Sequence, residues 1–89
     1  MARVVFTPNL RRHVECPETV AEGSTVSEVL AVVFAANPRL RGYVLDEQGR
    51  TRQHVMVYLN GRPIADRVRL GDAVSGDDEI YVMQALSGG

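Results

Sequence analysis

Eighty-nine residues, ten basic against eleven acidic, make one domain of net charge -1, which argues against nucleic-acid binding through bulk positive charge. The 45% apolar content suits a globular body with one modest core, and no apolar run approaches the roughly 20 residues that cross a bilayer. There is no apolar leader stretch at the N-terminus, and the single cysteine, Cys16, has no internal disulfide partner, so the expected setting is a reducing cytoplasm.

All ten basic residues are arginine. No side chain here can act as a Schiff-base amine, and no lysine is present to accept an isopeptide bond.

Arg3 to Thr7 reads as a first strand, rich in β-branched and aromatic residues. Pro8-Asn9 is a breaker pair, and Leu10 to Cys16 then reads as a weaker second strand, antiparallel to the first and ended by Pro17. Thr25 with Glu28 three residues on forms a capping box. Val26, Val29, Leu30, Val33 and Phe34 follow as one stripe of helical period, which predicts a core-facing helix stopped at Asn37-Pro38. Residues 39 to 42 read as an irregular turn, Tyr43-Val44-Leu45 as a brief strand, and Asp46 to Arg50 as a mobile polar loop. Val55 to Leu59 is a strand, and Asn60-Gly61 after it is the strongest short turn signal in the chain. Pro63-Ile64 extends briefly. Asp66 to Gly71 is irregular, with Leu70 reaching the core. Gly76-Asp77-Asp78 turns into a final strand, Glu79 to Met83, placed centrally beside the first. The expected architecture is α+β: a mixed sheet of about four or five strands with one main helix packed across one face.

Strand alternation divides the apolar residues into two sets. Val4, Phe6, Val55, Val57, Leu59, Ile80 and Val82 are assigned to the helix side. Met56, Tyr58, Tyr81 and Met83, with Val5, fall on the other face, where no second helix is evident. An exposed patch bearing Met and Tyr points to a protein-binding surface.

Other chemistry is thinly represented. His13 and His54 have no Cys or carboxylate at metal-ligand spacing. Cys16 has no activating base nearby in sequence, Ser87 has no triad partners, and no phosphate-binding glycine loop occurs. Asp77-Asp78-Glu79 reads as a solvated turn. The chain carries no catalytic constellation and is not expected to be an enzyme or to bind a cofactor.

The sequence closes on Leu86-Ser87-Gly88-Gly89. A terminal carboxylate on two glycines can enter a narrow activating cleft, because glycine has no Cβ to strike the wall. Six extended residues from Gln84 reach about 20 Å. The expected division is therefore a body over 1–83 and a flexible diglycine tail over 84–89. Met83 and Tyr81 lie immediately before that tail, so a partner gripping their face would also receive it.

The strand order, the capped helix, the Gly-Asp-Asp-Glu-Ile turn into the last strand and the terminal diglycine resemble the small sulfur carriers of the ThiS/MoaD family, which are ubiquitin-like β-grasp domains. The resemblance implies that a ubiquitin-activating-type enzyme uses ATP to adenylate the Gly89 carboxylate. Sulfur then displaces AMP, leaving a thiocarboxylate that is delivered to a sulfur-accepting synthase subunit or other biosynthetic enzyme. Gly88 and Gly89 match the family's motif directly. Met83, Tyr81, Tyr58, Met56 and Leu86 are the positions implied for partner contact. The length of the segment from Tyr43 to His54 favours a molybdopterin-type or cysteine-type carrier over a thiamin-type one. The competing expectation is a ubiquitin-like modifier conjugated to target lysines through Gly89, and a third is a purely structural interaction domain.

Overall fold

The computed structural model of the chain describes residues 1–84, the side chain of Asn9 excepted. Strands β1 (Ala2–Phe6), β2 (Thr19–Ala21), β3 (Val55–Leu59), β4 (Arg62–Pro63) and β5 (Glu79–Gln84) form one mixed sheet in the order β2-β1-β5-β3-β4. β1 and β5 run parallel, with Val4 opposite Ile80 and Phe6 opposite Val82; the other neighbouring pairs are antiparallel. The last strand is thus central and beside the first, as expected. The alternation is equally regular: Val4, Phe6, Val55, Val57, Ile80 and Val82 are buried, and Leu59 is half-buried against the same core.

The helices α1 (Pro8–Arg11), α2 (Val26–Ala36) and α3 (Pro38–Val44) complete the fold. In α2 the five stripe residues are all buried. The Thr25 hydroxyl accepts the Glu28 N–H at 3.1 Å, and the Glu28 carboxylate accepts the Ser24 N–H at 2.8 Å. The box therefore closes one residue further upstream than its usual form, still satisfying two donors at the helix start. A Cβ at Gly23 would lie 2.7 Å from the Val29 nitrogen, so the chain can enter this helix so closely only as glycine. Asn60 (φ 52) and Gly61 (φ 83) make the tight turn joining β3 to β4, with Leu59 opposite Arg62. Positive φ at both central positions is what such a hairpin needs.

Two stretches differ from the sequence reading. Leu10 to Cys16 is not a strand. Pro8 opens α1, where its missing N–H costs nothing, and Leu10 and Val14, four apart, both turn into the core. The edge strand is instead β2, beyond Pro17, with Ala21 opposite Ala2. In the same way Pro38 ends α2 but immediately starts α3, so residues 39 to 42 are helical and Tyr43 and Val44 are not strand. Leu40 and Val44, again four apart, are buried, and Leu45 makes only one bridge, to Thr51.

The links are tied by carboxylates. Asp46 accepts the N–H groups of Gln48 and Arg50 at 2.9 and 3.0 Å, closing the loop expected to be mobile. Asp72 accepts those of Ala65 and Asp66 at 2.8 and 2.9 Å, and Asp66 accepts those of Val68 and Arg69 at 3.1 and 2.8 Å. Leu70 is buried between these ties, as expected. No helix among the described residues is long and apolar enough to cross a membrane.

Candidate functional site: the open sheet face and the end of β5

The strand register assembles the predicted patch. Met56 pairs with Met83 and Tyr58 with Tyr81 across β3 and β5, and Val5 pairs with Tyr81 across β1 and β5. Residues this close on one face of a sheet pack side by side. All five are half-buried, whereas the alternate residues beneath them are buried with the helices in one core. The face is therefore apolar and partly open.

Its rim is charged and ordered. Arg3 pairs with Glu79 and lies 3.6 Å from Glu18. The hydrogen bond to Glu79, and then the charges of Glu79 and Glu18, hold Arg3 more firmly protonated. The acidic turn is not merely solvated. Asn60 donates to Asp78 at 2.9 Å, and its side-chain oxygen accepts the Glu79 N–H at 2.9 Å, fastening the turn to the β3–β4 hairpin. The Ser75 N–H and then the Asn60 amide pull Asp78 below the usual carboxylate range.

Where β5 ends, Thr7 holds it. The Thr7 N–H donates to the Val82 carbonyl at 3.1 Å, and its hydroxyl accepts the Gln84 N–H at 3.2 Å. Thr7 is the only buried polar residue among those described. It stands at the N-cap position of α1 yet makes no side-chain bond to that helix; the hydroxyl serves the sheet instead. Sequence reasoning missed this role, because a threonine before a proline signals a turn and gives no hint of a partner 77 positions away. β5 runs to Gln84, one residue past the expected strand end at Met83. The expected tail beyond it, with Leu86, Gly88 and Gly89, lies outside the described residues.

The other candidates stay apart. His13 stacks on Tyr43 with ring centroids 5.9 Å apart. Burial pushes the Cys16 thiol up, with Arg11 pulling more weakly the other way, so it is a poor nucleophile at neutral pH. Among the described residues no three His, Cys, Asp or Glu side chains gather where they could hold a metal.

The ThiS family model matches residues 6–89, from the end of β1 through the final glycine. The chain belongs to the ThiS family. Among solved structures, small archaeal modifier protein 1 from Haloferax volcanii superposes with a TM-score of 0.78 at 25% identity, covering 99% of this chain and 98% of that one. A chain of the Amycolatopsis orientalis BexX/CysO complex superposes with a TM-score of 0.83 at 22% identity, covering 100% of both. CysO of Mycobacterium tuberculosis follows at 0.80 and 20%, covering 97% of this chain and 100% of that one. No curated protein matches the sequence. Family and fold make this a ThiS-family protein with the ubiquitin-like β-grasp fold.

Proposed function

We propose that this chain is a sulfur carrier whose working group is the C-terminal carboxylate of Gly89. A ubiquitin-activating-type enzyme binds the open sheet face through Met83, Tyr81, Tyr58 and Met56 and receives residues 85–89, with Leu86 among its contacts. There the Gly89 carboxylate oxygen attacks the α-phosphorus of ATP and pyrophosphate leaves. A sulfide sulfur then attacks the acyl carbon, AMP departs with the bonding electron pair, and the remaining S–H proton is lost to solvent. The thiocarboxylate left behind is the nucleophile that delivers sulfur to a biosynthetic acceptor in the cytoplasm, of the molybdopterin or cysteine type. The globular body catalyses nothing and needs no bound cofactor: it presents the tail and is recognised.

The observation that carries this reading is the family match extending to Gly89, joined to an apolar face whose central strand precedes residues 85–89 in the chain. The CysO neighbour found in a complex with BexX supports a carrier that works docked on a partner.

Intact mass of the protein isolated from its own cells under reducing conditions tests it. A gain equal to one oxygen exchanged for sulfur is expected, lost in a variant without Gly88 and Gly89. An unchanged mass after incubation with ATP, sulfide and the host's activating enzymes overturns it. The likeness to an archaeal modifier protein favours a second reading, conjugation through Gly89 to lysines of other proteins. In that case a ladder of larger adducts appears in the same measurement.

A further inference from the structure

β2 is the last strand on its side of the sheet, so its outer edge offers backbone donors and acceptors to another chain. Beside it a cleft of about 520 Å³ opens between the strand and α2, lined by Thr19, Ala21, Val32, Val33 and Ala36 with Phe6 at its floor. On the helix wall Val32, 50% exposed, is one of the four large apolar residues standing open among those described. An open strand edge beside an apolar cleft is the arrangement that takes up an extended peptide. The main chain supplies hydrogen bonds, and alternate side chains enter the cleft.

Register and charge narrow the occupant. Thr19 and Ala21 stand opposite the buried Val4 and Ala2, while Val20 stands opposite Arg3 on the other face. By alternation Glu18 and Glu22, which bracket the strand, share the face of Val20, and the Glu18–Arg3 pair places Glu18 there directly. A second copy pairing antiparallel about Val20 would set Glu18 against Glu22 twice, and like charges directly opposite one another repel. A partner strand with basic residues at those two positions is attracted instead. On the cleft rim Glu15 and Arg39 offset each other.

We propose that β2 and the cleft behind it bind an extended segment of a partner protein as a sixth strand. That segment is apolar at the positions facing Thr19 and Ala21 and basic at those facing Glu18 and Glu22. This second docking surface lies on the α2 side of the sheet edge, away from the Met56–Met83 patch, and does not rest on the carrier reading.

The probe is a synthetic peptide blocked at both ends, Gly-Lys-Val-Thr-Val-Lys-Gly, titrated into the ¹⁵N-labelled full chain. Saturable amide shifts are expected at residues 19–21 and at Val32, Val33 and Ala36. Glu22→Lys, an exposed position, should weaken binding by about fivefold while leaving the remaining spectrum unchanged. The peptide with glutamate in place of both lysines should not bind. Three outcomes would overturn the proposal: no saturable shift at millimolar peptide, shifts centred on Met56 and Tyr81, or equal binding of the acidic peptide. Concentration-dependent shifts at residues 19–21 without peptide would assign the edge to a second copy and overturn it as well.

Discussion

Thr7→Val removes one hydroxyl and keeps the side-chain outline. The bond lost is the one from the Gln84 N–H, 3.2 Å long and partly buried. Removing the acceptor of a partly buried hydrogen bond costs about 1–3 kcal/mol, because the donor's desolvation is not repaid. The new methyl, at a site only 7% exposed, returns up to about 0.8 kcal/mol. No capping loss adds to this, because the Thr7 side chain makes no bond to α1. The expected balance is about 1 kcal/mol of destabilisation. With a urea slope of about 1–1.5 kcal/mol/M for a domain this size, the unfolding midpoint falls by about 0.7–1 M at unchanged slope. Thr7→Ser supplies the contrast: it keeps the hydroxyl and removes a buried methyl, lowering the midpoint by a similar amount. The two variants separate at the Gln84 amide. Its hydrogen exchange should quicken about fivefold beyond the global change in Thr7→Val and stay at the parent level in Thr7→Ser. Equal exchange in the two variants, or a Thr7→Val midpoint equal to the parent's, would refute the claim that this hydroxyl holds the end of β5.

Met83→Glu, on the open face, should leave the unfolding free energy within about 0.5 kcal/mol of the parent yet slow thiocarboxylate appearance at least tenfold in an intact-mass time course; an unchanged rate would remove Met83 from the partner surface. Asp66 is held below the usual carboxylate range by the Arg69 N–H first and the Val68 N–H after it. Its folded pKa is lower than its unfolded one, so its contribution is complete above about pH 4 and is lost as pH falls through the folded value. Thermal midpoints of the parent and Asp66→Asn should therefore differ at pH 7 and converge in acid, and a gap independent of pH would contradict this.

Elements whose signal is local were legible. The box of Thr25 and Glu28, the five-residue stripe behind it, the Asn60-Gly61 turn and the alternation of β3 and β5 each depend on neighbours within four positions, and each appears where the sequence places it. From that alternation alone the Met56, Tyr58, Tyr81 and Met83 face could be drawn. Residues 10 to 16 and Tyr43-Val44 misled because their local composition suits a strand, and residues 39 to 42 because the proline before them reads as a stop. Leu10 with Val14, and Leu40 with Val44, are spaced for a helix, but two residues four apart are too short a pattern to outweigh Val, Tyr and Pro neighbours. Packing against the finished sheet decided between the alternatives.

The sequence by itself determined the main helix, the turn joining β3 to β4 and the two sets of strand residues, because periodicity and turn chemistry are written in adjacent residues. Only the tertiary structure decided that β2 rather than residues 10–16 forms the sheet edge, leaving a cleft beside it, and that Thr7 fastens the end of β5. Those outcomes depend on which distant segments meet, and a contact spanning 77 positions leaves no periodic trace in the chain that makes it.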